Sequence, residues 1–488
     1  MHSNPLNYHV NCSSEAIDSK TDATLPVAIQ RNWKKHLTFI FLFVWILNIS
    51  AQDYDTTYNR QKGEPLEGMD MTWLNGGDRR PTPTMAGKFF TPTIMLDANA
   101  THSFNNPIDH TVVGSTALAR NDEMQVSSAN IGGDFSYKGA RAHIVMQFGT
   151  RSTVIPRNDY SIYRGQYELA TVYRYLCEAN AGYHFNVLHG INVDAGIFMS
   201  YIGLNSYYQV ENWEYQASYT SDNTPWFFSG IRTQIFVNKK LKIEPWIING
   251  WQSYGMFNKM PGFGGNITWC PNENLKLLTN DYYGTDAAGL AKRKRFHTDN
   301  SILGRYYKNK ESKGISQMAF SLTADLGFEK GDGVNGFNND AVKGPAQYFA
   351  SIMFYNRVWF HKNKFAWTVG GGYMKNPGRY LVLYPTGDAS PLPNPNNPTQ
   401  TAGTHPFSAN PGDQFEGWDA STNFDWMPNS SILFRLEYVH RASNVPYFAG
   451  RGGVTSQTGY TTAVLDPNWR PDLVKSEDRI IFAVLFRL

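Results

Sequence analysis

The stretch SEDRIIFAVLFRL, residues 476–488, decides the fold class. Ile480, Phe482, Val484, Phe486 and Leu488 share one face of an extended chain, because alternate strand residues point the same way. This apolar face runs to the last residue, an ending that a soluble chain seldom has. The same period of two recurs upstream. Within 91–100, Ile94, Leu96, Ala98 and Ala100 oppose Thr91, Thr93, Asp97 and Asn99. Within 140–149, Ala142, Ile144, Met146 and Phe148 oppose Arg141, His143 and Gln147; within 320–329, Phe320, Leu322, Ala324, Leu326 and Phe328 oppose Ser321, Thr323, Asp325 and Glu329.

Composition agrees with a large β-protein. Of 488 residues, 15% are aromatic and only 17% charged, which leaves ample surface to bury and excludes disorder. A mean hydropathy of −0.43, with one continuous apolar run, excludes a bundle of membrane helices. The formal net charge of +3 carries no nucleic-acid footprint. Cys177 and Cys270 remain once the segment holding Cys12 is removed; no C-x-x-C spacing suggests a metal or redox site, and a disulfide scaffold is excluded.

Extending the period-two reading places sixteen strands near 89–101, 123–137, 140–150, 168–184, 190–201, 225–238, 241–254, 260–270, 274–284, 295–307, 315–329, 347–361, 364–376, 414–425, 431–443 and 476–488. Short connections, such as Lys138-Gly139 and 238–240, alternate with long Gly/Pro/Asn-rich ones at 102–122, 151–167, 202–224, 330–346, 377–413 and 444–475. That parity predicts an all-β, transmembrane, antiparallel up-and-down barrel with short periplasmic turns and long loops outside. Hydrocarbon offers strand edges no hydrogen-bond partner, so the barrel must close by pairing 476–488 with 89–101. Cys177 and Cys270 then fall on the fourth and eighth strands, too far apart to bond. Tyr137, Trp251, Tyr254, Trp269, Tyr282, Trp359, Trp367 and Trp426, near strand ends, suit aromatic girdles. The proline-rich loop 377–413 could fold inward as a constriction or stand outside as a cap.

Arg31, Lys34 and Lys35 precede the apolar run 37–49, which ends in Ser50, Ala51 and Gln52. A run this short, with a basic flank and a small residue at its end, reads as an export signal cleaved after Ala51. The expected organisation is therefore 1–51 as upstream segment and signal, 52–86 as a polar periplasmic lead, and 87–488 as the barrel.

The stretches AGIFMSYIG (195–203), PWFFSGIR (225–232), NGW (249–251), RFHTDN (295–300) and FRLEYVHRASNVPYFAGRGGV (434–454) resemble the beta-barrel porin-2, or OmpL-like, family of bacterial outer-membrane proteins. The Ala51-Gln52 boundary resembles those of Bacteroidetes. Two departures stand out: Leu488 ends the chain where Phe is usual, and Ala442 stands where an acidic residue is expected. The resemblance implies an outer-membrane channel for passive diffusion of small hydrophilic solutes, with no catalytic motif. Structural or assembly-type barrels, and a barrel hydrolase, are the rival classes. Outer-membrane lipid, the solutes, and other membrane proteins or further copies of the chain are the expected partners; no nucleic acid, cofactor or metal is expected.

The polar faces supply Arg141, Arg232, Arg305, Arg357, Arg435 and Arg441 against Asp97, Asp134, Asp299, Asp325 and Glu437 as pore-lining candidates. In a water-filled barrel, opposed charges set up a field that sorts solutes; the plain alternative is paired wall residues with no role in selectivity. His297, Asp299 and Ser301 share a strand face, but no orienting third group or G-x-S-x-G elbow accompanies them. Asp332 to Asp340 (DGVNGFNND) lacks EF-hand spacing, and GRGG (450–453) lacks the Lys-Ser/Thr of a phosphate loop.

Overall fold

The computed structural model describes Met85 and residues 87–156, 159, 168–309, 311–381, 383, 414–459 and 469–488. The export signal, the polar lead apart from Met85, and most of the loop 377–413 lie outside these residues.

Sixteen long strands form one antiparallel sheet: β1 (Phe90–Ser103), β2 (Met124–Tyr137), β3 (Ala140–Phe148), β4 (Leu176–Phe185), β5 (Ile191–Met199), β6 (Phe227–Asn238), β7 (Leu241–Ile248), β8 (Gly262–Asn272), β9 (Leu275–Gly284), β10 (Lys294–Lys308), β11 (Ile315–Gly331), β12 (Tyr348–Phe360), β13 (Phe365–Asn376), β14 (Phe415–Trp426), β15 (Ile432–Ser443) and β16 (Ser476–Arg487). Each pairs with its neighbours in sequence, and β1 also pairs with β16, from Met95 opposite Arg487 to Ser103 opposite Arg479. The expected closure is thus present, and it removes the sheet edge that hydrocarbon could not satisfy. Parity of the connections is strict: 249–261 and 285–293 also fall on the long-loop side. Lys138 and Gly139, with φ of 49° and 82°, make the left-handed two-residue turn that a twisted hairpin favours.

Burial runs opposite to that of a soluble protein. Leu96, Ile131, Ile144, Ile302, Leu326, Phe354, Leu436 and Phe482 are exposed on the outer wall. Asn99, Asn130, Gln147, Asp299, Asp325, Arg357, Glu437 and Arg479 are buried inside. Lipid takes the first set, and the second requires a polar interior.

Three expectations need correction. Strands four and seven are shorter than 168–184 and 241–254. A short helix, Leu169–Tyr173, precedes β4, and β7 stops at Ile248 because Asn249 hydrogen-bonds the Tyr254 carbonyl (2.6 Å) and Trp251 N–H donates to Asp286 (3.1 Å). The proposed girdle divides: Tyr137, Trp269, Trp367 and Trp426 face outward beside short turns, whereas Trp251, Tyr254, Tyr282 and Trp359 are buried. Finally, the connection 200–226, like 104–123, does not stand outside as expected but packs against inward-facing wall residues. Its aromatic side chains are the physical reason: Tyr207, Trp213, Tyr215, Tyr219 and Trp226 are all buried, and Trp213 meets Trp359 of β12 edge-on at 5.6 Å.

Candidate functional site

The inserted segment 200–226 is tied to the barrel wall mostly through its backbone at β10, β12, β14 and β15; near β3 and β4, Arg151 donates to Tyr207 O and the Tyr207 and Tyr208 hydroxyls donate to Gln147 (2.5 Å) and Glu178 (2.9 Å). Carbonyl oxygens in a non-repetitive segment must find donors, and long inward arginines provide them. Arg435 of β15 donates to Asn212 O (2.8 Å), Arg357 of β12 and Asn423 of β14 to Trp213 O (3.1 and 2.7 Å), and Arg441 of β15 to Ala217 O (2.7 Å). Carboxylates take the N–H groups. Glu437 of β15 accepts from Tyr215 (2.5 Å) and Gln216 (2.8 Å), Asp419 of β14 from Tyr219 (2.9 Å), and Asp299 of β10 from Gly203. The Tyr215 hydroxyl donates to Asp97 of β1 at 2.9 Å and accepts from Asn99 at 2.7 Å. The arginines are themselves compensated: Asp425 takes Arg435 through two hydrogen bonds of 2.8 Å and Arg357 through one of 2.6 Å.

A second connection, 104–123, also packs inward through Val112, Val113, Ala117 and Leu118. Arg479 donates to Val113 O and Arg441 to Gly114 O, while Asp222 accepts from Thr116 N (3.1 Å) and Thr116 Oγ1 (2.5 Å), joining the two segments. Towards the long-loop rim, Asp109 accepts the N–H groups of Val454 (2.7 Å), Thr455 (2.6 Å) and Ser456 (3.3 Å) and the Thr455 hydroxyl (2.8 Å). Burial alone would raise the Asp109 carboxyl, but these hydrogen bonds outweigh it and hold it below its ordinary range.

The wall of β2 to β7 carries inward charges, several of them only partly covered. Asp194 of β5 bridges Arg141 of β3 (3.3 Å) and Arg232 of β6 (2.9 Å). Arg141 reaches it across β4 at Gly182, where a Cβ would lie 2.5 Å from Asp194 Oδ1. His143 sits between Asp134 (2.9 Å) and Glu178 (3.3 Å), and Lys242 pairs with Glu244 (3.3 Å). Asp134, Arg141, His143, Arg232 and Lys242 retain 59%, 26%, 24%, 18% and 17% side-chain exposure.

The pore-lining candidates therefore divide by place. Asp97, Asp299, Arg357, Arg435, Glu437 and Arg441 hold the inserted segment; Asp134, Arg141 and Arg232 belong to the partly open wall. Arg305 bonds Asn274 (2.8 Å) and the Glu273 carbonyl (3.1 Å) at a short turn. Asp325 lies 3.7 Å from His297, whose ring stacks on Tyr380, while Ser301 hydrogen-bonds Thr323 (2.8 Å). Asp340 accepts N–H groups from Val342 and Lys343, and Gly452 N–H donates to Asp472. Sequence reasoning missed Asp194, Asp419 and Arg479, which sit on the same inward faces as the residues it named, and Asp222, whose loop was expected outside.

A closed sixteen-strand barrel with an apolar outside and a charged inside is what the period-two reading predicted, and an outer-membrane barrel is what the family resemblance implied. The family model described as "Putative beta-barrel porin-2, OmpL-like" matches residues 91–465. The chain belongs to this family. Membership in this porin family indicates the bacterial outer membrane as its location. Among curated proteins, none matches the chain. Similar solved structures include in-vitro folded OmpT of Vibrio cholerae (8% identity, TM-score 0.45, covering 83% of this chain and 99% of that one). The outer-membrane channel DcaP of Acinetobacter baumannii is similar at 8% identity and TM-score 0.46, covering 82% and 97%. An anion-selective porin from Comamonas acidovorans is similar at 8% identity and TM-score 0.44, covering 82% and 99%.

Proposed function

We propose that this porin-family barrel passes small hydrophilic solutes by diffusion, along a lane between the inserted segment 200–226 and the inner wall of β2 to β7. The observation that carries the reading is the asymmetry of the interior: β10, β12, β14 and β15 hold most of the segment's backbone through hydrogen bonds, whereas β2 to β7, which the segment meets at Tyr207 and Tyr208, keep partly covered charges of both signs. Asp134, Arg141 and Arg232 would line the lane, while Asp97, Asp299, Arg357, Arg435, Glu437 and Arg441 would set its width indirectly. Residues 1–51 would act in export, with cleavage after Ala51, and 52–86 would form a periplasmic lead to the barrel 87–488. No catalytic step enters this reading.

Liposome swelling tests it with neutral, anionic and cationic sugars of matched size. Swelling that falls with solute size and differs between the charged sugars is expected. Swelling no faster than that of protein-free liposomes would instead favour an assembly-type or structural barrel, for which the dense packing of 104–123 and 200–226 provides a motive.

A further inference from the structure

On the outer wall, near the long-loop rim, Tyr283 of β9, Phe296 of β10, Phe328 of β11 and Tyr348 of β12 stand opposite one another in successive strand pairs. Their rings form a row, with centroids 4.9 Å apart for Tyr283–Phe296 and 5.0 Å for Phe296–Phe328. One step nearer the rim, Lys294 and Lys330 are direct cross-strand partners. Like charges placed so are mutually destabilising. Lys294 Nζ lies 5.8 Å from the Tyr283 ring centre and Lys330 Nζ 5.2 Å from that of Phe296. Glu329, the neighbouring carboxylate, is occupied by Arg293 (2.8 Å) and Arg295 (3.0 Å), and among the described residues neither lysine forms an ion pair.

Below the lysines, an outward-facing groove of about 520 Å³ lies among Phe263, Tyr283, Phe296, Leu326 and Phe328. Asp281 and Thr298, cross-strand partners, are the outward polar side chains within it. A carboxylate on a wall that meets lipid is costly unless something polar meets it.

We propose that this groove binds a phosphate-bearing lipid of the surrounding leaflet. The phosphate sits between Lys294 and Lys330, relieving their repulsion; an acyl chain lies on the aromatic row; and Asp281 accepts a hydrogen bond from a hydroxyl or amide N–H in the lipid's linkage region. Charge decides the occupant. A neutral lipid would leave the paired ammonium groups uncompensated, and a second copy of the chain would have to present an acidic patch to them. The inference rests on membrane placement and not on solute passage, so a barrel without channel activity would bind the same lipid.

Native mass spectrometry of the full mature protein, released from phosphatidylcholine nanodiscs doped with bisphosphorylated lipid A, tests the assignment. Wild type should leave with lipid A attached, and Lys294→Gln/Lys330→Gln should lower the attached fraction about tenfold, as loss of roughly 1.4 kcal/mol would. Lys294→Arg/Lys330→Arg should restore it, and dephosphorylated lipid A should bind wild type no better than it binds the Gln variant. Heat-modifiable migration reports folding of each variant. Thr298→Phe, which fills the groove and leaves the lysines in place, should also lose the adduct. Equal adducts on wild type and the Gln variant, equal binding of both lipids, or release as an adduct-free dimer would each overturn the proposal.

Discussion

The Glu437 carboxylate on β15 accepts the backbone N–H of Tyr215 at 2.5 Å, fixing the inserted segment to the wall at a point 222 residues away in sequence. The same carboxylate takes Gln216 N–H at 2.8 Å, so one side chain satisfies two consecutive amides that the segment's irregular path would otherwise leave unpaired.

Removing that group should loosen the inserted segment without opening the sheet. Hydrogen bonds to charged groups contribute about 1.5–3 kcal/mol each, so Glu437→Ala costs the segment's anchoring on the order of 3 kcal/mol or more. Single-channel recordings in planar bilayers should show higher and noisier conductance than wild type, with Glu437→Gln between the two. Conductance identical to wild type in Glu437→Ala would mean that the segment does not limit the lane.

Asp109 gives a pH dependence. Its folded-state value is depressed, chiefly because the N–H groups of Thr455 and Val454 outweigh burial. Its contribution to holding 104–123 against 444–459 is therefore complete above the unfolded carboxyl's value of about 3.9, and is lost as pH falls through the depressed value. Pepsin should cut this region increasingly fast over that acidic window in wild type, and at a rate independent of Asp109 titration in Asp109→Asn. At neutral pH, trypsin should cleave after the exposed Arg451 faster in Asp109→Asn; equal rates would remove the clamp.

Sequence period exposed the sheet more fully than the interior. The alternation of Phe320, Leu322 and Leu326 with Ser321, Thr323 and Asp325 assigns faces without any knowledge of partners, because lipid imposes one rule on every outward residue. The closure of β16 on β1 follows from the same rule. No comparable rule covers inward residues: Arg435 holding Asn212 O and Arg232 paired with Asp194 look alike as lone arginines on polar faces. Their difference arises from 200–226, whose entry into the barrel depends on contacts such as Trp213 with Trp359. Trp251 was misplaced for a related reason, since the end of β7 is set by Asp286, a residue 35 positions further along the chain.

The outer wall gives a direct test of register. Phe482 is exposed on β16 opposite Ala100 of β1. A cation near the bilayer midplane costs about 2–4 kcal/mol, so Phe482→Arg should lower the yield of folded, heat-modifiable barrel. Ala483→Ser, on the inward side, should assemble more nearly as wild type does. Normal yield of the arginine variant would count against the assigned face.

Cys177 on β4 and Cys270 on β8 are both buried and unbonded. A membrane-impermeant maleimide should leave the folded protein unlabelled and modify both cysteines after denaturation without reductant. A mass lower by two hydrogens in the non-reduced mature chain would instead reveal a bridge that this strand order does not allow.

Asp194 offers the sharpest test of the lane. Its carboxylate lies between Arg141 and Arg232, so its own charge offsets one of theirs and leaves the local sum at +1. Asp194→Asn keeps the shape and one acceptor oxygen but removes the negative charge, leaving two guanidinium groups beside the partly open wall. Asp194 is buried while both arginines keep some contact with water, so the stability cost should lie between that of an exposed pair, about 1 kcal/mol, and that of breaking a sealed one, about 3–5 kcal/mol. The field in the lane should respond more than the fold does. In a salt gradient across a planar bilayer, the reversal potential of Asp194→Asn should shift towards anion preference, while Arg141→Gln should move it towards cations. Unchanged reversal potentials in both variants, with conductance retained, would place the conducting lane elsewhere in the barrel.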